Sequence, residues 1–508
     1  MLRAIATVGG WTMASRILGF LRDMLIAAKL GAGPLADAFF VALKLPNLFR
    51  RFFGEGAFNA AFVPAFAALL ATRGPQAARE LAERMATLLG LWLALLTGLG
   101  LALMPQLIGL LAPGFDAPKA ALAVELARIT LPYLLLICLT ALVSGVLNGL
   151  GRFAAPAAAP IFFNILSVAA LWVLAPVTPT PAHALAWGVT ASGVVQLLFV
   201  LWAARQAGMP LNPFRLPRLT PEARVVLRRM GPGMIGAGVT QLNLAVDVIV
   251  ASFLPSGAVS FLYYADRVAQ LPLGVIGAAV ATALLPILAR QISSGQPLSA
   301  HRSMNRALEV ALALAVPAAL ALAVLALPIL QALFQRGAFG EAEARATAWA
   351  LVAYAFGLPA FVLVKVFLPG FFARGDTATP VKVGVSCLGL SVALNLLLMG
   401  PLGHVGVALA TSLSAWANTA LLAWLLARRG RLVADRGLRR RLPRLALAAA
   451  GMVLALWGLD RWLAPGAGWD GVWRLAVVCA LGGAAYFAAA QALGGMELRT
   501  LLRRLRRA

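Results

Sequence analysis

Residues 85–104 read MATLLGLWLALLTGLGLALM, twenty positions without a single charge. That is the length a helix needs to cross about 30 Å of hydrocarbon at a rise of about 1.5 Å per residue. Arg84 stands just before the stretch and Pro105 just after it, the punctuation expected where a buried segment meets water. Working outward, runs of the same kind recur along all 508 residues. The expected spans are 6–30, 34–69, 85–104, 129–147, 156–174, 184–204, 230–254, 259–289, 307–330, 346–372, 383–399, 406–426, 445–463 and 472–493, fourteen in all. With 61% hydrophobic and 12% charged residues, the chain has too little polar surface to cover a soluble domain. Arg16, Arg22 and Asp23 interrupt the first apolar run, so it reads as a retained helix and not as a secretory leader.

A net charge of +25 would point to nucleic acid if the basic residues clustered on a soluble domain. Instead they fall in alternate connectors, at a bias of roughly four to one, which is the signature of charge-directed insertion. The densest runs lie between 428 and 444 and in the tail beyond 498. Both termini are therefore expected to face the cytoplasm, and no nucleic-acid partner is expected.

The second and eighth spans exceed what a bilayer requires and contain Pro46, Pro64 and Pro272. Bent or broken helices are expected there, and irregular backbone at membrane depth is tolerated only against protein or a water-filled cavity. A repeat is visible at an offset of about 222 to 226 residues. Asp23 and the residues after it return at Asp247, Lys44-Leu45-Pro46 returns as Gln270-Leu271-Pro272, and the turn 152–156 returns as 374–380. Six helices per unit is an even number, so the halves share one orientation, related by a pseudo-two-fold axis along the membrane normal. The expected organisation is a six-helix lobe at 1–205, a basic linker at 206–229, a second lobe at 230–427 and a basic linker at 428–444. Two further spans then occupy 445–493, and a basic tail 494–508. The fold class is thus an all-α polytopic membrane protein, two pseudo-symmetric six-helix lobes around a central cavity plus two extra C-terminal helices.

Charges inside the expected spans are the candidates for chemistry. The basic ones are Arg16, Arg22, Lys44, Arg50, Arg51, Arg267 and Lys365, and the acidic ones include Asp23, Asp37, Glu55, Asp247 and Asp266. Each costs at least about 2.5 to 3.5 kcal/mol at the bilayer centre, so each is expected to face protein or water. The planar fork of arginine suits the oxygens of a diphosphate. The same residues can instead neutralise one another: Arg22 with Asp23, Asp266 with Arg267, or Arg16 with Asp37 across helices. Asp23 and Asp266, each beside an arginine, are read as such partners. Arg50 and Arg51 are adjacent and cannot share one helical face, and Lys365 can snorkel toward a helix end.

Asp247, with Gln241, Asn243 and Asn395, offers oxygen ligands of the kind a monovalent cation takes, or else an interhelical hydrogen-bond network. Cys138, Cys387 and Cys479 sit in apolar runs without metal-ligand spacing, and His183, His301 and His404 lie in separate connectors. No cofactor or metal is expected. The absence of a nucleophile, an acid pair or a phosphate loop argues against an enzyme.

Several motifs carry a family likeness in chain order. Residues 15–23 (SRILGFLRD), 31–40 (GAGPLADAFF), 44–51 (KLPNLFRR) and 55–58 (EGAF) come first. Residues 264–267 (YADR), 333–339 (LFQRGAF) and 374–380 (RGDTATP) follow. Together they resemble the MurJ (MviN) family of lipid II flippases, from the first helix through the eleventh. The resemblance implies the fold of the multidrug/oligosaccharidyl-lipid/polysaccharide exporter superfamily, with a groove on the last two helices for a polyprenyl tail. It implies a flippase of the bacterial inner membrane that moves the undecaprenyl-diphosphate-linked peptidoglycan precursor, lipid II, to the outer leaflet by alternating access. It places head-group contacts at Arg16, Arg22, Arg50 and Arg267, with the family's acidic residue of the second helix at Asp37. Beside these, Lys44, Asn47, Arg51, Glu55 and Lys365 are expected as supporting cavity residues.

The family's sodium site is not matched, because the eleventh helix lacks an acidic residue. Coupling to a monovalent cation, at Asp247 and Asn395, or to the membrane potential stays open. Expected partners are lipid II, membrane lipids and other cell-wall synthesis proteins. Two alternatives remain: an exporter of another polyprenyl-linked oligosaccharide or of drugs on the same fold, and a non-transporting scaffold for cell-wall synthesis. On this reading Arg22→Ala abolishes transport without loss of protein from the membrane.

Overall fold

The computed structural model describes residues 2–50, 57–212, 219–463, 466 and 468–496. Among them the structure is helical throughout, with one isolated bridge between Arg336 and Phe339. The chain groups into two compact units, 1–260 and 261–508.

The first unit contains α1 (Leu2–Leu30), α2 (Pro34–Arg50), α3 (Ala57–Ala102), α4 (Met104–Leu111), α5 (Ala117–Thr130), α6 (Tyr133–Gly149), α7 (Ala154–Val173), α8 (Pro181–Gln206) and α9 (Pro221–Ser252). α10 (Ala258–Ser293) starts there and continues into the second unit. The second unit holds α11 (Pro297–Val324), α12 (Ala326–Phe334), α13 (Glu341–Phe372), α14 (Ala378–Arg428), α15 (Arg436–Leu463) and α16 (Gly468–Ala492).

Ten helices among the described residues are long and apolar enough to cross a membrane. α14, at 51 residues with a break at Gly403, has length for two crossings of about 20 residues each. The arrangement is consistent with fourteen spans, although their ends differ from the sequence expectation. The long second span divides into α2 and the start of α3, which continues through a break at Gly74 into the third. α9 begins at Pro221 instead of near 230, because Thr220 accepts a hydrogen bond from the Ala223 N–H (3.2 Å) and Pro221 occupies the first turn, a favoured N-terminal combination.

The repeat is also written in the backbone. Left-handed glycines close equivalent turns at Gly31 and Gly257, Gly74 and Gly295, Gly151 and Gly375, and Gly208 and Gly430, at offsets of 226, 221, 224 and 222. Each unit also straps one connector, the one after α8 in the first and the one after α14 in the second. Glu83 on α3 accepts from the Asn212 backbone N–H (3.0 Å), and Asn305 on α11, 222 residues later, accepts from the Asp435 N–H (3.4 Å). The helix after each strap then packs on the strapping helix, α9 on α3 and α15 on α11. α15 therefore stands to its unit as α9 stands to the first.

The core of the first unit is built on Phe58, Phe62 and Phe66, one face of α3 at 5.0 and 5.7 Å between ring centroids, with Met85, Leu142 and Val146. In the second, α13 and α14 approach so closely that a Cβ on Gly357 would lie 2.5 Å from Ser412 Oγ. That hydroxyl donates to the Ala353 carbonyl at 2.7 Å, the small-residue packing with polar cross-links that hydrocarbon favours.

Candidate functional site

On α1, Ser15, Gly19 and Arg22 are spaced by four and three residues and form one stripe, and this stripe lies against Asn164 of α7. Arg22 is buried. Its Nε and Nη2 donate to Asp23 Oδ1 at 3.0 and 2.7 Å, and its Nη1 donates to Asn164 Oδ1 at 3.0 Å. The guanidinium also sits 4.9 Å from the centroid of the Phe163 ring. Arg22 and Asp23 are thus a buried ion pair, the alternative weighed from the sequence.

Arg16 is placed differently. It is exposed and lines a cleft of about 580 Å3 with Thr12, Ser15, Asn148, Phe153 and Pro160. It makes no hydrogen bond or ion pair among the described residues. A neighbouring cleft of about 420 Å3 shares Phe153 and is bordered by Thr7, Arg152, Trp202 and Gln206. Prolines 156 and 160 remove two backbone donors on the α7 side, leaving a mostly apolar trough bordered by the exposed guanidinium groups of Arg16 and Arg152.

Arg50 ends α2 and is half-buried, as are Lys44 and Asn47 on the same helix. Arg51 and Glu55 lie outside the described residues. Asp37 does not pair with Arg16. Almost completely buried, it accepts from the backbone N–H groups of Gly257 (2.7 Å) and Ser260 (2.9 Å) and from the Ser260 hydroxyl (2.6 Å). Lys119 Nζ of α5, also buried, lies 3.4 Å from Oδ2, the oxygen that accepts from Gly257, and donates to Ser256 at 3.1 Å. Asp37 therefore caps the start of α10 from another helix, where a carboxylate meets the positive end of the helix dipole. Sequence reasoning missed Lys119 and Asn164. One sits in a connector and the other in an unremarkable apolar run, and neither contact has a local signature.

In the second unit, Arg267 Nη2 donates to the Tyr263 hydroxyl (3.0 Å) and the guanidinium lies over that ring at 4.8 Å. Asp266 accepts from Gln270 one turn on. The adjacent Tyr264 is packed between Phe334 and Phe339, at 5.5 and 5.4 Å, so the motifs at 264–267 and 333–339 join in one aromatic cluster that anchors α10. Lys365 of α13 is half-buried and lies along α10 at Gly277, where a Cβ would come within 2.8 Å of its Cδ. Of the candidate cation ligands, Asp247 is half-buried on α9 in the first unit and Asn395 is fully buried on α14 in the second.

The motif at 374–380 is a cap. Asp376 accepts from the Thr379 N–H (3.0 Å) and hydroxyl (2.8 Å) and from Arg429 (2.6 Å). The Thr379 N–H, then its hydroxyl, with Arg429 adding, lower its pKa from 3.8 to about 2. A folded-state pKa below the unfolded value stabilises the fold above the unfolded pKa and loses that contribution as pH falls through the folded one. Asp376→Ala is expected to cost about 1 to 2 kcal/mol at neutral pH. In thermal melts the gap to the parent chain should shrink as pH is lowered from about 4 toward 2; a gap that stays constant over that window would contradict the cap.

Comparison with known proteins follows the same lines. The family described as "Lipid II flippase MurJ" matches residues 26–474. The chain is 43% identical over its whole length to a probable lipid II flippase MurJ of Rhizobium meliloti (strain 1021), covering 96% of that protein. It is 37% identical to the lipid II flippase MurJ of Burkholderia cenocepacia (strain J2315), over 93% of this chain and 92% of that one. Among solved structures, a lipid II flippase MurJ in an inward closed conformation aligns at a TM-score of 0.80 and 23% identity, covering 97% and 99% of the two chains. An inward-facing multidrug resistance MATE family transporter of the MOP superfamily aligns at 0.69 and 16%, covering 84% and 98%. A multi-pass helical chain with these relatives is a transporter in fold, and it belongs to the MurJ family of lipid II flippases.

Proposed function

We propose that this chain moves lipid II, the undecaprenyl-diphosphate-linked peptidoglycan precursor, from the cytoplasmic to the outer leaflet of the bacterial inner membrane by alternating access, with both termini cytoplasmic. The observation that carries the reading is Arg16: an exposed guanidinium in a largely apolar cleft, the arrangement that a lipid-borne anion matches. A phosphate there gains a charge-assisted, bidentate contact in a low-dielectric setting. Arg50 and Arg267 supply further positive charge for the head group, and Lys44, Asn47 and Lys365 support them. Arg22 acts from behind, through its pair with Asp23. Only the polar head needs shielding, since the prenyl tail is as soluble in the bilayer as the helices are.

A negative-inside potential favours outward movement of an anionic head by about 2.3 kcal/mol per elementary charge per 100 mV, so the membrane potential is itself a sufficient source of direction. A monovalent cation held by Asp247 or Asn395 is the further coupling route. Other cell-wall synthesis proteins are the proposed neighbours.

The test is a vesicle assay. The purified full chain is reconstituted with fluorescent lipid II, and the labelled head group reaching the opposite leaflet is read with an impermeant reagent. Time-dependent transfer that an imposed potential accelerates is expected. Label that stays on its original leaflet at all potentials would overturn the reading.

A further inference from the structure

We infer that Asn164 is a positioning residue for head-group binding, holding the α1 stripe from Ser15 to Arg22 in the one geometry that turns Arg16 into its cleft. The inference rests on the reading of Arg16 and Arg22 above. Asn164 is buried and bridges two turns of α1. Its Oδ1 accepts from Arg22 Nη1 at 3.0 Å, and its Nδ2 donates to the Ser15 carbonyl at 2.9 Å, with Ser15 Oγ at 3.5 Å. Gly19 lies between these contacts; a Cβ there would sit 3.5 Å from both amide atoms, so the α1 backbone comes directly onto the side chain.

Only one amide orientation satisfies both partners, because a guanidinium can only donate and a carbonyl can only accept. Asn164 is thus chemically specified. Leucine breaks both bonds, and aspartate keeps the arginine contact but opposes the carbonyl. Arg16 follows Ser15 by one residue, about 100° around the helix from the stripe, and Ser15 itself borders the cleft. Fixing Ser15 and Arg22 therefore fixes where the Arg16 side chain starts. Asp23 already balances the charge of Arg22, so the asparagine is not required for neutrality. What it adds is orientation.

The test uses the full chain in detergent and measures binding of solubilised lipid II by calorimetry, alongside thermal melts. Asn164→Ala should weaken Kd by about tenfold or more, the scale of losing a hydrogen bond to a charged group, and should lower Tm by a few degrees, because the same bonds are lost from the free protein. A purely structural asparagine would lower Tm and leave Kd alone. Kd within about twofold of the parent for Asn164→Ala would overturn the inference. If Asn164→Ala does not fold, the isosteric Asn164→Asp answers the same question: a second carboxylate on the Arg22 fork should weaken binding by about tenfold, and a parental Kd rejects the role. Arg16→Ala is the separating arm. A parental Kd there removes the head-group reading itself, whereas loss for Arg16→Ala with none for Asn164→Ala removes only the positioning role.

Discussion

Arg16→Ala, reconstituted in vesicles, is expected to reduce transfer of labelled lipid II by about a hundredfold or more while the protein melts like its parent. Arg16 is exposed and engages no partner among the described residues, so its removal should change stability by no more than about 0.5 kcal/mol, as for other surface positions. The loss falls entirely on the substrate. A bidentate contact to phosphate is two charge-assisted bonds of about 1.5 to 3 kcal/mol each, which is where the hundredfold comes from. Arg16→Lys should recover part of the activity, since it restores the charge but not the fork. Parental transfer rates in Arg16→Ala would show that the cleft does not take the head group.

The corresponding experiment at Arg22 gives a less direct answer. Removing it takes from Asp23 its buried guanidinium partner, and breaking a buried pair from one side costs about 3 to 5 kcal/mol. Arg22→Ala is therefore expected to lose stability together with transport, in contrast to the expectation drawn from the sequence.

The largest effect on the fold is expected at Asp37. Asp37→Ala leaves Lys119 with only the Ser256 hydroxyl and the Phe115 ring, 4.1 Å away, and no counter-charge among these contacts, and it leaves two N–H groups and one hydroxyl at the start of α10 without their acceptor. Breaking such a pair from one side costs about 3 to 5 kcal/mol, whereas removing both charges together is often close to neutral. Thermal melts should thus show a severe loss for Asp37→Ala and a substantial recovery in Asp37→Ala with Lys119→Met. Recovery will not be complete, because the α10 donors stay uncapped. If the double variant is no more stable than the single one, the ammonium was not the source of the cost, and the cap alone holds this corner together.

Much of the architecture was legible in one dimension because a bilayer imposes a length and a hydropathy on every crossing. Of the twenty uncharged residues at 85–104, the first eighteen lie in α3, which ends at Ala102, and the repeat seen in three short motifs reappears as four pairs of left-handed glycines. The connector expected between 399 and 406 returns as the break of α14 at Gly403, whereas the extension of α9 back to Pro221 and the division of α5 from α6 were less legible. Hydropathy averages over such features, and they depend on caps and single backbone angles. The charged positions were legible as a class, since each is expensive in hydrocarbon. Their roles were not: Arg16 and Arg22 look alike in a list of intramembrane arginines, yet one faces a cleft and the other is buried in a pair.

The chain by itself determined that this is a many-helix membrane protein of repeated halves, with arginines that must be shielded from lipid, because transfer energies act residue by residue. Tertiary structure alone decided the partners: Asn164 for Arg22 across 142 residues, and Ser260 and Lys119 for Asp37 across 223 and 82. A buried polar group must find a complement somewhere. Which complement it finds depends on how helices pack in space, and no local pattern encodes that.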